Sequence, residues 1–128
     1  MADTSRGGYK PDIFDEREKA FEAQYRREEE IAFKAEARCA HLFGLWAAGR
    51  LGLEGTAAET YARAVIDADL LRPNHLEMLR KVATDLAAKG IATTELELQG
   101  KREMLIEEAK KQLLGDLASG KQNLEQGF

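Results

Sequence analysis

DIFDEREKAFEAQYRREEEIAFKAEARCAHLFGLWAAG, residues 12–49, decides the fold class: the stretch holds no proline, and Gly44 is the one glycine in its interior. Glu, Ala, Arg and Lys dominate it, all strong helix formers, so a single helix from Asp12 to about Gly49 is the natural reading. At ~1.5 Å per residue it spans on the order of 55 Å, longer than the body of a small domain, and part of it must project or bend. The two halves differ. Twelve of the twenty residues from Asp15 to Lys34 are charged, so this half has little to bury within its own domain. From Ala35 onward, Ala35, Cys39, Leu42, Phe43, Leu45, Trp46 and Leu53 give an apolar stripe at three-to-four spacing, and this half belongs to a core.

Outside that stretch the chain reads as three shorter helices with marked ends. Gly52-Leu53 and Gly90-Ile91 each have the glycine-plus-apolar pattern of a left-handed helix stop. Thr56-Ala-Ala-Glu59, Asn74-His-Leu-Glu77 and Thr94-Glu-Leu-Glu97 each have the spacing of a capping box, in which a side chain and a glutamate three residues on satisfy each other's backbone amides. Pro73 disfavours helix at Arg72. The expected inner faces are Tyr61, Ala62, Val65 and Ile66; then Leu76, Leu79, Val82, Ala83, Leu86 and Ala87; then Leu98, Leu105, Ala109, Leu113 and Leu117. The segments 52–59 and 90–97 share Gly, apolar, Thr and Glu at matching offsets, which junction chemistry explains without duplication. Residues 1–11 and 119–128 have polar, glycine-bearing compositions expected to be disordered. The fold class is therefore all-α, a four-helix bundle with a long N-terminal helix and a disordered N-terminal tail, in a single domain spanning 1–128.

Composition narrows the function. One domain of 128 residues with 44% hydrophobic content supports a modest core, and a charged fraction of 33% places surplus charge on solvated faces. A net charge of -4 and a pI near 5.3 oppose nucleic-acid binding, which needs clustered Lys and Arg. The first residues lack the apolar core of a signal peptide and no run approaches a membrane span, so neither export nor membrane insertion is expected. Cys39, the single cysteine, excludes an internal disulfide and agrees with a reducing cytoplasm.

The residues that could carry chemistry are few. Cys39 and His41 sit two apart on a helix, about 200° around its axis, and cannot share a metal. Cys39 lies on the apolar stripe, where a buried small hydrophobe is the expected role, and His75, one residue past a helix start, reads as solvated. Trp46 on the same stripe reads as core. Arg80, Lys81, Lys89, Lys110 and Lys111 could gather an anion or read as ordinary surface charge. No phosphate-binding loop, dinucleotide turn or nucleophile elbow occurs, and no metal, cofactor or catalytic residue is expected. What stands out is Phe14, Phe21 and Tyr25, one heptad and one turn apart on one side of the charged half-helix. They either dock on the other helices or in a homodimer, or form a recognition line for another protein bound as a helix in a groove.

Phe14-Asp-Glu-Arg-Glu-Lys-Ala-Phe-Glu-Ala-Gln-Tyr25, Phe33-Lys-Ala-Glu-Ala-Arg38 and Leu42-Phe-Gly-Leu-Trp-Ala-Ala-Gly-Arg-Leu-Gly-Leu53 closely resemble the zeta-subunit inhibitors of the F1-ATPase of alphaproteobacteria. Tyr61 to Asp69 and Leu79 to Gly90 follow in the family order, so the resemblance covers about residues 12 to 117. It implies a bacterial cytoplasmic protein, associated with F1 on the cytoplasmic face of the inner membrane, whose partners are the F1 α, β and γ subunits. It further implies that residues 1–25 are a mobile inhibitory segment and that 26–118 form a four-helix body with a tail at 119–128. Inhibition of ATP hydrolysis would come from inserting the N-terminal helix at a catalytic interface. The matching residues for partner binding are Phe14, Arg17, Glu18, Phe21, Glu22 and Tyr25. A helical adaptor for another complex, or a module with weak adenine-nucleotide binding, are the alternative expectations.

Overall fold

The computed structural model describes residues 11–72 and 74–120, with side chains from Glu16 onward. Among these residues there are four helices and no strand: α1 (Pro11–Arg50), α2 (Gly55–Asp69), α3 (Leu76–Ala88) and α4 (Glu95–Ser119). The all-α reading holds. Helix α1 starts at Pro11, one residue earlier than expected, since proline's fixed φ and missing N–H suit a first helical turn. Helix α4 runs through Ser119, where a tail was expected, and stops at Gly120 with φ 78°. The expected disorder of 1–10 and 121–128 lies outside the described residues.

Both glycine stops form as read. Leu53 N–H reaches the Ala48 carbonyl at 2.9 Å and Gly52 N–H that of Gly49 at 3.1 Å, while Ile91 and Gly90 repeat the pattern on Leu86 and Ala87 at 2.8 and 2.9 Å. These are paired bonds of the Schellman type, which satisfy the last free carbonyls of a helix.

The three starts behave differently. Thr94 forms its box: Glu97 N–H donates to Thr94 Oγ1 at 3.1 Å and Thr94 N–H donates to Glu97 Oε1 at 2.8 Å. The box expected at Thr56 does not form, because Gly55 takes φ +57° and turns the chain into α2 early, with Glu54 as the cap residue. Thr93 stands at the matching place in the second junction and carries a β-branched side chain that disfavours that turn. Glu59, released from capping, pairs with His41 at 2.9 Å. The box expected at Asn74 is half made. Asn74 Oδ1 accepts the Leu76 N–H at 3.1 Å, but Glu77 turns to Arg72 at 3.1 Å, and α3 begins at Leu76 behind His75.

The core gathers Ala40, Phe43 and Ala47 of α1, Val65 of α2, Met78, Leu79, Val82 and Leu86 of α3, and Leu98 of α4. Ala35, Cys39, Ala109 and Leu113 are buried as well. Most expected inner positions are buried or half-buried. Ala87 is exposed instead, and Met78 is buried in α3 though the expected face omitted it. Trp46 is half-buried, its ring 5.5 Å from that of Phe43, with Arg50 and Lys101 lying over it. The α1–α2 crossing is close because Gly44 has no side chain: a Cβ there would stand 2.7 Å from Ala62 Cα.

Polar ties join the helices. Tyr61 donates to Asp85 Oδ2 at 2.7 Å, Lys81 donates to the same oxygen at 3.1 Å, and Arg38 meets Asp116 at 3.1 Å. His75 is not the solvated residue expected. It adopts φ 63°, the one positive φ outside glycine among the described residues, and stands between Asp69, Glu36 and Arg102. A left-handed backbone at such a residue costs on the order of 1 kcal/mol, so these contacts hold it there.

Candidate partner-binding face

Helix α1 divides by burial. Every described side chain from Glu16 to Glu29 is exposed; Glu30 and Ile31 are half-buried, Ala32 and Phe33 are exposed, and continuous burial begins at Lys34 and Ala35. Pro11 to Phe33 therefore makes up roughly 35 Å of rise, most of it clear of the body. Residues 34–48 pack on α2 and α4 and anchor it, with Ala35, Cys39, Phe43, Ala47 and Ala48 fully buried.

The structure places Arg17, Glu18, Phe21, Glu22 and Tyr25 together on this exposed length, with Phe21 72% and Tyr25 63% exposed. They do not dock on helices α2 to α4. Phe14 lies in α1, but its side chain is outside the described residues. The Glu29 carboxylate, one turn on, accepts the Tyr25 hydroxyl and its charge adds to the effect, holding the phenol proton more firmly than usual. Tyr25 thus offers a neutral aromatic face with its polar end already engaged.

Phe33 was not singled out in the sequence, and it is 72% exposed. Arg26, Glu29, Glu30, Phe33 and Lys34 line a shallow open groove at the point where α1 leaves the body. The signal was present: Phe33 stands two turns beyond Tyr25 in the same charge-rich stretch. On an ideal helix, however, it lies about 80° around from Tyr25, and so it falls off the line through Phe14 and Phe21.

Elsewhere the chemistry is sparse. Cys39 is fully buried, and that burial pushes its thiol up to about 11, with Arg102 opposing the shift; its Sγ rests 3.7 Å from the Arg102 carbonyl. No group of three metal-ligating side chains occurs among the described residues. Of the cations that could gather an anion, Arg80 pairs with Glu77, Lys81 with Asp85 and Lys110 with Glu107. They serve as intrahelical surface pairs. No helix is long and apolar enough to cross a membrane among the described residues.

The chain matches a family model, ATPase inhibitor subunit zeta, over residues 12–112. The chain belongs to the ATPase inhibitor subunit zeta family. The match begins inside the first turn of α1 and ends in the last third of α4, so it takes in the exposed half-helix as well as the body. No individual curated protein matches the chain. Membership supports an ATPase-inhibitory, regulatory role and association with ATP synthase.

Proposed function

We propose that this chain is a regulatory inhibitor subunit of the bacterial F1F0-ATP synthase and not an enzyme. It inserts the N-terminal half of α1 at a catalytic α/β interface of F1 near γ and blocks ATP hydrolysis. The observation that carries this reading is the exposure of Phe21 and Tyr25 on a helix held out from its own core. Aromatic side chains left in water on a rigid helix are typical anchors for a partner groove. The ring of charges around them, Arg17, Glu18 and Glu22, forms a polar rim. A steric block requires no chemistry from the inhibitor, because stabilising one rotary state is enough to stop turnover. The site of action is the bacterial cytoplasm, on F1 at the inner membrane.

The test is ATP hydrolysis by purified alphaproteobacterial F1-ATPase titrated with the protein and with a Phe21→Ala/Tyr25→Ala variant. Saturable inhibition by the natural sequence is expected. Each anchor lost is expected to weaken it by roughly 30-fold, the effect of an interface hot spot. Equal inhibition by both proteins would remove the aromatic face from the mechanism, and binding to F1 without inhibition would reduce the protein to an accessory subunit.

A further inference from the structure

Four elements meet at His75, and the geometry around its ring allows two bonding states. Nδ1 lies 2.7 Å from Asp69 Oδ1 at the end of α2. Nε2 lies 3.0 Å from Arg102 Nη2 of α4 and 3.3 Å from Glu36 Oε1 of α1. Arg102 and Glu36 are themselves paired. Cys39 of α1 sits beside Arg102, and the one other acid near the start of α3, Glu77, is turned to Arg72 and Arg80. The ring is 27% exposed, enough for a solvent proton to reach it.

With a neutral imidazole the bonds assign themselves. Asp69 is an acceptor, so Nδ1 carries the hydrogen; Nε2 then presents a lone pair, which an Arg102 N–H can fill. The charged groups Asp69, Glu36 and Arg102 then sum to one negative charge. A proton taken from solvent occupies the Nε2 lone pair and brings the cluster to zero. Arg102 can no longer donate to Nε2 and keeps Glu36, while Nε2–H gains Glu36 as its acceptor.

We infer that His75 is a proton-operated latch: neutral, it receives a hydrogen bond from Arg102; protonated, it donates to Glu36 and ties the α2–α3 junction to α1. Glu36 stands within one turn of Lys34 and Ala35, where α1 first becomes buried. The latch therefore acts at the root of the exposed half-helix. The left-handed backbone of His75, the single outlier outside glycine among the described residues, is what aims both ring nitrogens at partners on different helices.

The experiment is an imidazole-nitrogen NMR titration of the full chain between pH 5 and 8, with amide exchange measured over residues 34–38 and 75–77 and corrected for intrinsic rates. Above the titration the neutral ring is expected to carry its hydrogen on Nδ1. Below it, protection of both segments is expected to rise about threefold, the worth of the partly exposed ion pair that His75 and Glu36 then form. His75→Asn keeps a residue that tolerates left-handed backbone and removes the titration; its protection is expected to be flat with pH. His41→Gln, which removes the other imidazole, is expected to leave the response unchanged. A neutral ring with its hydrogen on Nε2, protection in the natural chain that does not change with pH, or the same response in His75→Asn would each overturn the latch. The tautomer is read on the natural chain and needs no variant to fold.

Discussion

Replacing Gly44 by alanine sets two effects of opposite sign against each other. In the interior of a helix Gly→Ala ordinarily stabilises by about 1 kcal/mol, because glycine has more backbone freedom to lose. At Gly44 the new Cβ would stand 2.7 Å from Ala62 Cα, 3.0 Å from Ala62 Cβ and 3.2 Å from the Ala62 carbonyl oxygen. Ordinary carbon contacts need about 3.5 Å or more, so the α2 backbone has to retreat by roughly 0.8 Å or more along the crossing. Overpacking of this kind costs about 1–3 kcal/mol, and a clash with backbone, which has no rotamer to yield, belongs at the upper end. The net expectation is a loss of about 2 kcal/mol, or a fall of about 8 °C in Tm for a domain of this size. Gly100→Ala and Gly115→Ala are built-in controls, since a Cβ at either meets nothing within 4 Å; each is expected to gain up to about 1 kcal/mol. Urea unfolding followed by circular dichroism at 222 nm reads all three, with an unchanged m-value showing that the denatured state is not the cause. If Gly44→Ala proves as stable as Gly100→Ala, the α1–α2 crossing is not limited by contact at this point.

Cys39 gives a pH prediction. Its thiol is raised from the ordinary 9.0 to about 11 by burial, so between those values the unfolded chain releases a proton that the folded chain keeps. Stability is therefore expected to fall as pH rises from about 9 to about 11, by about 2–3 kcal/mol more than in Cys39→Ala, as urea titrations at pH 8, 9.5 and 10.5 would show. Alkylation at pH 8 is expected to be at least ~100-fold slower in the native protein than in urea. Tyr61→Phe removes the hydroxyl donated to Asp85 and is expected to cost about 1 kcal/mol in the same unfolding assay, with Lys81 limiting the loss by retaining the carboxylate. Deleting residues 1–25 is expected to change unfolding of the remainder by no more than ~0.5 kcal/mol, since the described side chains it removes are all exposed, while abolishing action on F1; a truncated chain that unfolds or still inhibits fully would contradict the division of α1. Phe33→Ala is expected to leave stability within the same ~0.5 kcal/mol and to weaken F1 binding measurably, which isothermal titration would detect.

What could be read in the sequence followed from signals of short range. The long helix, the glycine stops at Gly52 and Gly90 and the Thr94 box each depend on residues within one or two turns, and each formed. The inner faces were legible through most of their residues, Ala35, Ala62 and Ala109 among them, but Ala40, Ala47, Ala48 and Met78 were passed over, and so was the close α1–α2 approach at Gly44. Where the backbone turns early, as at Gly55, or a long-range partner competes, as at His75, the local reading fails. Glu59 answers His41 across eighteen residues in place of Thr56, and His75 answers Glu36, Asp69 and Arg102, none of them within its own turn. Those contacts depend on how the helices pack, which spacing alone does not encode. The line of rings was legible, but that Phe33 stands exposed beside it depends on where burial of α1 begins, and spacing does not encode that.

The exposed half of α1 buries little, so helix propensity is the main thing its own residues bring to holding it helical in water. Isolated helices pay a nucleation cost that short charged sequences barely recover. Here the nucleus is supplied from the other half, because residues 34–48 are fixed in helical geometry by Ala35, Cys39, Phe43 and Ala47 against α2 and α4. Propagation from that end adds one backbone hydrogen bond for each residue ordered, in a stretch rich in Glu, Arg, Lys and Ala. On the proposed function, a helix presented to F1 in this way would already have lost much of the conformational freedom that binding removes, so more of the contact energy from Phe21 and Tyr25 would appear as affinity. The body would then contribute to recognition without touching the partner. It follows that a substitution such as Gly44→Ala, remote from the aromatic face, should weaken binding only under conditions where the body is partly unfolded, and should leave affinity unchanged where the body remains folded.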